Sequence, residues 1–426
     1  MIRQESIMGK NSRYRLGTQV IHAAQEPDKW SGATMPPLYQ SASHVHKTAE
    51  SLSDTFAGKK SDHIYARLSN PTNTVLENKL CILEGGAGAV VMASGMAAVS
   101  NTCMALLRAG DEFIAGNSLF MSTSILFTSV FKKYNITAKL VPTNDLAGME
   151  NCINPKTRFI YIETIGNPAM DVPDLEAIAS LAHKHGLPLI VDNTLATPYL
   201  LRPIEIGADI VIHSTTKYLS GHGSATGGVV IDSGNFDWDT ERFDDFKPFI
   251  ERKGRLAFLD RMWREHHINF GTTQAPFHSF LTVTGLDTLI LRMERHLENA
   301  MKVAEFLTRH PIVEWVNYPG LKDHPCHKTA ERLFENKGFG ALLTFGLKDE
   351  KACFKLIDNL NLIYHLANLG DCKTLIIHPW STQYVSFQEK AKYDAGVKPG
   401  LLRLSVGIEH IDDILEDLDQ ALEQTT

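Results

Sequence analysis

The sequence has no CxxC pair: its six cysteines are scattered at positions 81, 103, 152, 326, 353 and 372. That spacing argues against a zinc ribbon or a disulfide framework and fits a reducing cytoplasm. No apolar run approaches the roughly 18 residues that a membrane span needs, and the polar stretch from Met1 to Tyr14 has no signal-peptide core. An excess of positive charge is also missing. The net charge is −7, so no bulk electrostatics favour nucleic acid or an anionic membrane. Eighteen histidines are present, but the closest pairs, His183/His185, His266/His267 and His324/His327, lie in no HExxH-like motif. No metal is expected. Internal repeats and low-complexity segments are absent.

What is present is a chain of 426 residues, 43% hydrophobic and 21% charged. It has the composition of an ordinary globular protein and room for two domains. Its organising stretch runs from Asp209 to Gly223. The apolar residues Ile210 to Ile212 are followed by Ser214, Thr215, Thr216 and Lys217, then by Gly221 and Gly223. This reads as a buried strand feeding a functional loop. The carboxyl end of a strand in an open α/β sheet is where ligands bind. A lysine held there among hydroxyls suits an imine-forming amine, of the kind that pyridoxal phosphate (PLP) enzymes combine with an acid facing the pyridine nitrogen. Taken alone, the stretch is read equally well as a surface lysine after a strand.

Residues 1–63 show little periodicity and read as an extended arm, supported by a neighbouring subunit. Tyr65 and Arg67 alternate on a segment expected to be extended, so a phenol and a guanidinium face one way, as a phosphate site or a surface ion pair would have them. Asn70-Pro71-Thr72 starts a helix that Gly85-Gly86 ends. A strand from Ala89 to Met92 leads into Ser94, Gly95 and Met96, where a helix begins. A strand, a small-residue turn and a helix N-terminus make an anion site. Further strands are predicted at 112–115, 159–163, 187–192, 209–213 and 227–231, alternating with helices. This rhythm indicates a mostly parallel sheet within a first domain over 64–270. The charged and aromatic stretch 236–268 reads as a surface insertion. A smaller α+β domain is expected over 271–426, with strands near 341–345, 374–377 and 401–406.

Asp192 ends one predicted strand and Lys217 follows another, so both are expected on one edge of the sheet. With Ser214, Thr216 and the turn at Ser94 to Met96, that edge holds an amine, an acid and an anion cup. These pieces, together with Glu163-Thr-Ile-Gly-Asn-Pro168 and Leu402-Arg-Leu-Ser-Val-Gly-Ile-Glu409, resemble the Cys/Met-metabolism PLP-dependent enzymes, the cystathionine γ-synthase-like family of fold-type I. The resemblance implies an α/β PLP-transferase fold. It makes Lys217 the Schiff-base lysine and proton shuttle and pairs Asp192 with the pyridine nitrogen. Ser94, Gly95, Met96, Ser214 and Thr216 become phosphate binders, with Asn167 and Thr194 also beside the cofactor. Tyr65 and Arg67 would reach over from a neighbouring subunit in a homo-oligomer, a dimer of dimers. Arg403 would clamp the substrate α-carboxylate, helped by Ser381 and Asn167.

Within the family, Asn317 to Leu321, His365 to Asp371 and Leu375 to Pro379 look most like O-acetylhomoserine sulfhydrylases, which make homocysteine from an amino-acid ester and sulfide or a thiol. The alternatives are a cystathionine γ-synthase, an O-succinylhomoserine sulfhydrylase, a methionine γ-lyase-like enzyme, or a weakly active PLP-binding regulator. Two departures stand out. Phe120 occupies the place of the family's ring-stacking tyrosine and keeps the flat face without the hydroxyl. Ser122 stands where methionine γ-lyases carry a reactive cysteine. Trp380 and Tyr384 flank Ser381 and are expected to add bulk near the substrate side chain.

Overall fold

The computed structural model describes residues 14–425; the first thirteen residues of the expected arm lie outside the described residues. Seven strands form the larger sheet: β1 (Gly88–Met92), β2 (Glu112–Gly116), β3 (Thr137–Val141), β4 (Thr157–Glu163), β5 (Leu189–Asp192), β6 (Ile210–His213) and β7 (Gly228–Asp232). Their order is β1-β7-β6-β5-β4-β2-β3. Every neighbouring pair from β6 to β3 is parallel, and β7 runs antiparallel to both β1 and β6. The apolar runs seen in the sequence have a simple cause. A parallel sheet is covered by helices on both faces, so its strands have no solvent side. Along β6, Val211 points into one core, and Ile210 and Ile212 point into the other, with the period of two that a pleated strand imposes.

The second sheet comprises β8 (Trp315–Asn317), β9 (Leu342–Gly346), β10 (Tyr364–His365), β11 (Leu375–Ile377) and β12 (Leu401–Ser405), in the order β10-β11-β12-β9-β8. The 21-residue helix Leu289–Arg309 packs against it through Met293, Leu297, Ala300, Ala304 and Leu307. These positions recur every three or four residues, as one helical face requires. The expected α/β class, with a large mostly parallel sheet and a smaller second sheet, is the fold observed.

Three local expectations are corrected. Strands β3, β8 and β10 were not foreseen. Strand β3 lies at the sheet edge with Thr137 and Leu140 exposed, and β8 and β10 have no buried residue, so none carries a clean apolar pattern. The stretch 236–268 is not a surface insertion. Trp238 is 2% exposed, and Phe243, Phe246 and Phe258 are buried in one core with Phe113 and Phe159 of the sheet. Several of its charges pair with one another, Arg261 with Asp245 and Arg264 with the buried Asp260. Each such aromatic contributes about 1.5–3 kcal/mol on burial. Finally, Tyr65 to Leu68 is a turn, closed by the Leu68 N–H on the Tyr65 carbonyl at 2.8 Å, rather than an extended run.

The arm carries two short helices, Leu16–His22 and Ala49–Phe56. It is tied down where the Thr72 hydroxyl meets the Pro37 carbonyl at 3.0 Å and Asn70 donates to the Tyr39 carbonyl at 2.8 Å. Elsewhere it leaves large apolar side chains bare, Trp30 at 96% exposure and Val45 at 99%.

Candidate active site

The carboxyl ends of β4, β5 and β6 open on a cleft of about 950 Å³, counting space open to solvent, well within the range that holds a small ligand. Its walls bring together Lys217, Asp192, Phe120, Ser94, Gly95, Met96, Asn167, Thr194, Ser214, Thr216 and Arg403. These come from both halves of the chain.

The anion cup forms where the helix Gly95–Leu106 begins. Ser94 caps it by accepting the Ala97 N–H at 3.1 Å. The N–H groups of Gly95 and Met96, in the helix's first turn, have no carbonyl partner within the helix, and both residues line the cleft, a ready place for a phosphate. Glycine at 95 is needed, because a Cβ there would lie 2.7 Å from the Ser214 Cβ. The loop after β6 can therefore press Ser214 against the helix start. The Thr194 hydroxyl accepts the Ser214 N–H at 2.8 Å and fixes that loop.

Lys217 lies just beyond this cup. Its Nζ donates to the Asn368 side-chain oxygen at 2.6 Å. Burial, helped by the nearby Arg403 charge, pushes its pKa down to about 8. Asp192 accepts the Thr194 N–H at 3.0 Å and the Tyr161 hydroxyl at 3.3 Å. Burial raises its pKa, which is the cost of holding an anion away from water. A cationic ring nitrogen beside it would offset that cost. Arg403, on the central strand β12, is 2% exposed. It donates to Asn167 at 3.2 Å and to the Asn368 carbonyl at 3.1 Å, and its Nε has no partner. Among the described residues no carboxylate pairs with it, and burial lowers its pKa to about 10. A buried guanidinium left in this state is poised for a carboxylate ligand.

An amine, an acid, an anion cup and a flat aromatic face thus line one cleft, and the guanidinium beside them keeps an unpartnered Nε. The residues fit PLP: the cup for its phosphate, Asp192 for its ring nitrogen, Phe120 for its ring face and Lys217 for its aldehyde carbon.

Not every expected residue is here. Ser381 is not in the cleft wall; its hydroxyl pairs with His378 Nδ1 at 2.7 Å, and Gln383 lines the cleft instead. Trp380 packs on Tyr393 and Lys392, and Tyr384 on Phe387; neither is in the wall. Tyr65 and Arg67 are not in this chain's cleft either. Arg67 stacks 5.6 Å from the Tyr65 ring and donates to the Ile268 carbonyl. Conversely, Glu163, Asn368 and Gln383 line the cleft without having been singled out. Glu163 had a readable signal, since it ends a predicted strand as Asp192 does. Asn368 sits in an irregular loop between β10 and β11; the stretch His365 to Asp371 carried a family likeness, but nothing in it pointed to Asn368.

Comparison with known proteins agrees with this geometry. The chain is 41% identical over 424 residues to O-acetyl-L-homoserine sulfhydrylase of Leptospira meyeri, covering 95% of this chain and 96% of that one. It is 40% identical over 431 residues to homocysteine/cysteine synthase of Saccharomyces cerevisiae, covering 95% and 97%. It superposes with a TM-score of 0.93 on a putative O-acetylhomoserine (thiol)-lyase of Campylobacter jejuni holding N'-pyridoxyl-lysine-5'-monophosphate, at 34% identity and covering 96% and 100%. A profile of the Cys/Met metabolism PLP-dependent enzymes matches residues 17–423. With the lysine, the acid and the phosphate cup converging on one cleft and the match running through nearly the whole chain, this protein belongs to the Cys/Met metabolism PLP-dependent enzyme family.

Proposed function

We propose that the protein catalyses γ-replacement on O-acetylhomoserine: sulfide or a thiol takes the place of the acetoxy group, giving homocysteine or its thioether and acetate. PLP, when bound, supplies the electron sink that makes the substrate's α and β protons acidic. The observation that carries the reading is Arg403, a buried guanidinium without a carboxylate, opening on the same cleft as Lys217. With Asn167 beside it, Arg403 holds the α-carboxylate of an amino acid by paired hydrogen bonds. Lys217, with its pKa near 8, is matched to taking and returning protons near neutral pH. Asp192 keeps the ring nitrogen protonated. Gly95, Met96, Ser214 and Thr216 hold the phosphate. Phe120 offers a flat face and no proton. The similarity to sulfhydrylases across nearly the full length supports the choice of acetyl ester and sulfide.

Product analysis tests this. O-acetyl- and O-succinylhomoserine are each supplied with sulfide, with cysteine, or with no nucleophile. Homocysteine and acetate from the acetyl ester and sulfide are expected to dominate. Predominant cystathionine, or 2-oxobutyrate without nucleophile, would replace this reading with a synthase or lyase. The absent phenol at 120 bears on the same balance. Phe120→Tyr is expected to raise 2-oxobutyrate release relative to homocysteine, by about tenfold if the hydroxyl acts as a general acid or base. An unchanged ratio sinks that role.

The lowered pKa of Lys217 has a direct consequence for loading. The neutral amine is the nucleophile toward the PLP aldehyde, so cofactor uptake by apoprotein is expected to speed up as pH rises through about 8 and then level off. Continued acceleration up to pH ~10.4, as for an ordinary lysine, would show that Lys217 is not so perturbed.

We further propose a homotetramer built from dimers, working in the cytoplasm, with the arm (1–63), cofactor domain (64–270) and C-terminal domain (271–426) as its parts. The bare Trp30 and Val45 of the arm, and Tyr65 and Arg67 lying outside their own chain's cleft, support sites shared between subunits. Co-expressing Lys217→Ala with Arg67→Ala chains tests this. Each mixed dimer would hold one intact site, restoring about a quarter of wild-type activity if the chains pair at random. No restoration at limiting PLP argues that the site lies within one chain.

A further inference from the structure

Glu163 is a titratable cleft residue without a role. Strands β4 and β5 are parallel neighbours, and Glu163 is in register with Asp192. Two carboxylates therefore leave the sheet side by side and face one cleft. Asp192 has two donors, from Thr194 and Tyr161. Glu163 is 8% exposed and accepts one hydrogen bond, from the Phe120 N–H to Oε1 at 2.7 Å.

That bond matters because of where Phe120 sits. It immediately precedes the helix Met121–Ile125, and no side chain caps that helix. Its carbonyl accepts the Ser124 N–H, while its own N–H is held by Glu163 alone. A phenylalanine ring has no polar atom with which to anchor itself. Its position follows from the backbone that carries it and from packing.

We infer that Glu163 is a positioning residue that fixes the Phe120 backbone, and through it the plane of the aromatic ring that meets the cofactor. The groups around Glu163 are consistent with a neutral carboxyl doing this. Asp192 stands on the adjoining strand, the Tyr161 and Tyr384 phenols are nearby, and Lys217 and Arg403 line the same cleft. Burial, reinforced by the Asp192 charge, holds the Glu163 pKa well above the usual carboxylate range. Two adjacent buried carboxyls do not both ionise. The better-donated Asp192 keeps the charge that faces the ring nitrogen, and Glu163 keeps the proton. One uncharged oxygen acceptor is all that Phe120 requires.

The inference rests on the cofactor reading, which the visible absorbance of the wild-type holoenzyme checks separately. The test compares Glu163→Gln, which keeps a neutral oxygen acceptor, with Glu163→Leu, which fills the space without one. PLP affinity and the visible circular dichroism of the bound cofactor are read out, since the dichroism reports how the ring is seated. The glutamine variant is expected to stay within about twofold of wild type in affinity and to keep the dichroic band. The leucine variant is expected to bind PLP about tenfold more weakly and to lose most of the band. A leucine variant with wild-type affinity and band overturns the inference. So does a glutamine variant that loses the band, whatever the leucine variant does, because it would show that the anion and not the acceptor is needed.

Discussion

Lys217→Ala is expected to lower kcat by about 10⁴-fold or more and to leave no cofactor covalently retained after borohydride treatment. The size of the effect follows from what else lines the cleft. Arg403 stays protonated, with a pKa still near 10 after burial. Glu163 is pushed toward its protonated form, and Asp192 is engaged with Thr194 and Tyr161. Phe120 has nothing to give. Of the wall's ionisable side chains, that leaves Lys217 to accept and return the α-proton. Elsewhere in the fold the substitution is mild. It removes an amine that burial already disfavours in its charged form, so Tm is expected to hold or rise. Measuring kcat, borohydride-trapped absorbance and Tm together separates lost chemistry from lost folding. Residual turnover within about a hundredfold of wild type would mean that another base shares the work.

The second large effect is expected at Arg403. Replacing it with methionine keeps much of the stem and removes the charge. KM for O-acetylhomoserine is expected to rise about 100-fold, the equivalent of about 2.7 kcal/mol and typical of a charge-assisted pair. Lysine is not expected to rescue it, because a point charge lacks the fork that spans two carboxylate oxygens. Two further measurements tie the result to this structure. Arg403 is the second cause of the lowered Lys217 pKa, so in Arg403→Met the pH midpoint for PLP uptake is expected to move upward. A buried guanidinium without a carboxylate is also a burden on the fold, so the variant is expected to melt at a higher temperature. This is the usual exchange of stability for function at a binding site. An unchanged KM with a lowered kcat would move Arg403 from substrate binding to the chemical step.

How far the sequence led can be seen at particular residues. Lys217 and Asp192 were legible because buried parallel strands are short continuous apolar runs, and the residue that ends such a run sits at the sheet edge. Ser94 and Gly95 were legible because a capping residue and a glycine after a strand have a local cause. Strand β3 was not, since an edge strand with exposed Thr137 and Leu140 keeps no apolar period. Nor was the aromatic layer of 236–268, where charges that pair with one another masked the rings beneath. The turn at Tyr65 to Leu68 was misread because alternation of side-chain type in three residues does not fix backbone conformation.

The sequence by itself determined the fold class and the family, and it named the candidate amine, acid and phosphate cup. Each of these is written in spacing along one element, or in motifs that keep their local geometry. Only the tertiary structure decided what each group faces. It put Asn368 on Lys217 and Arg403, turned Ser381 away to His378, and set Glu163 beside Asp192 under the Phe120 backbone. These pairings join residues far apart in the chain. They depend on strand register and on how the two sheets meet, and no periodicity within a single segment encodes either.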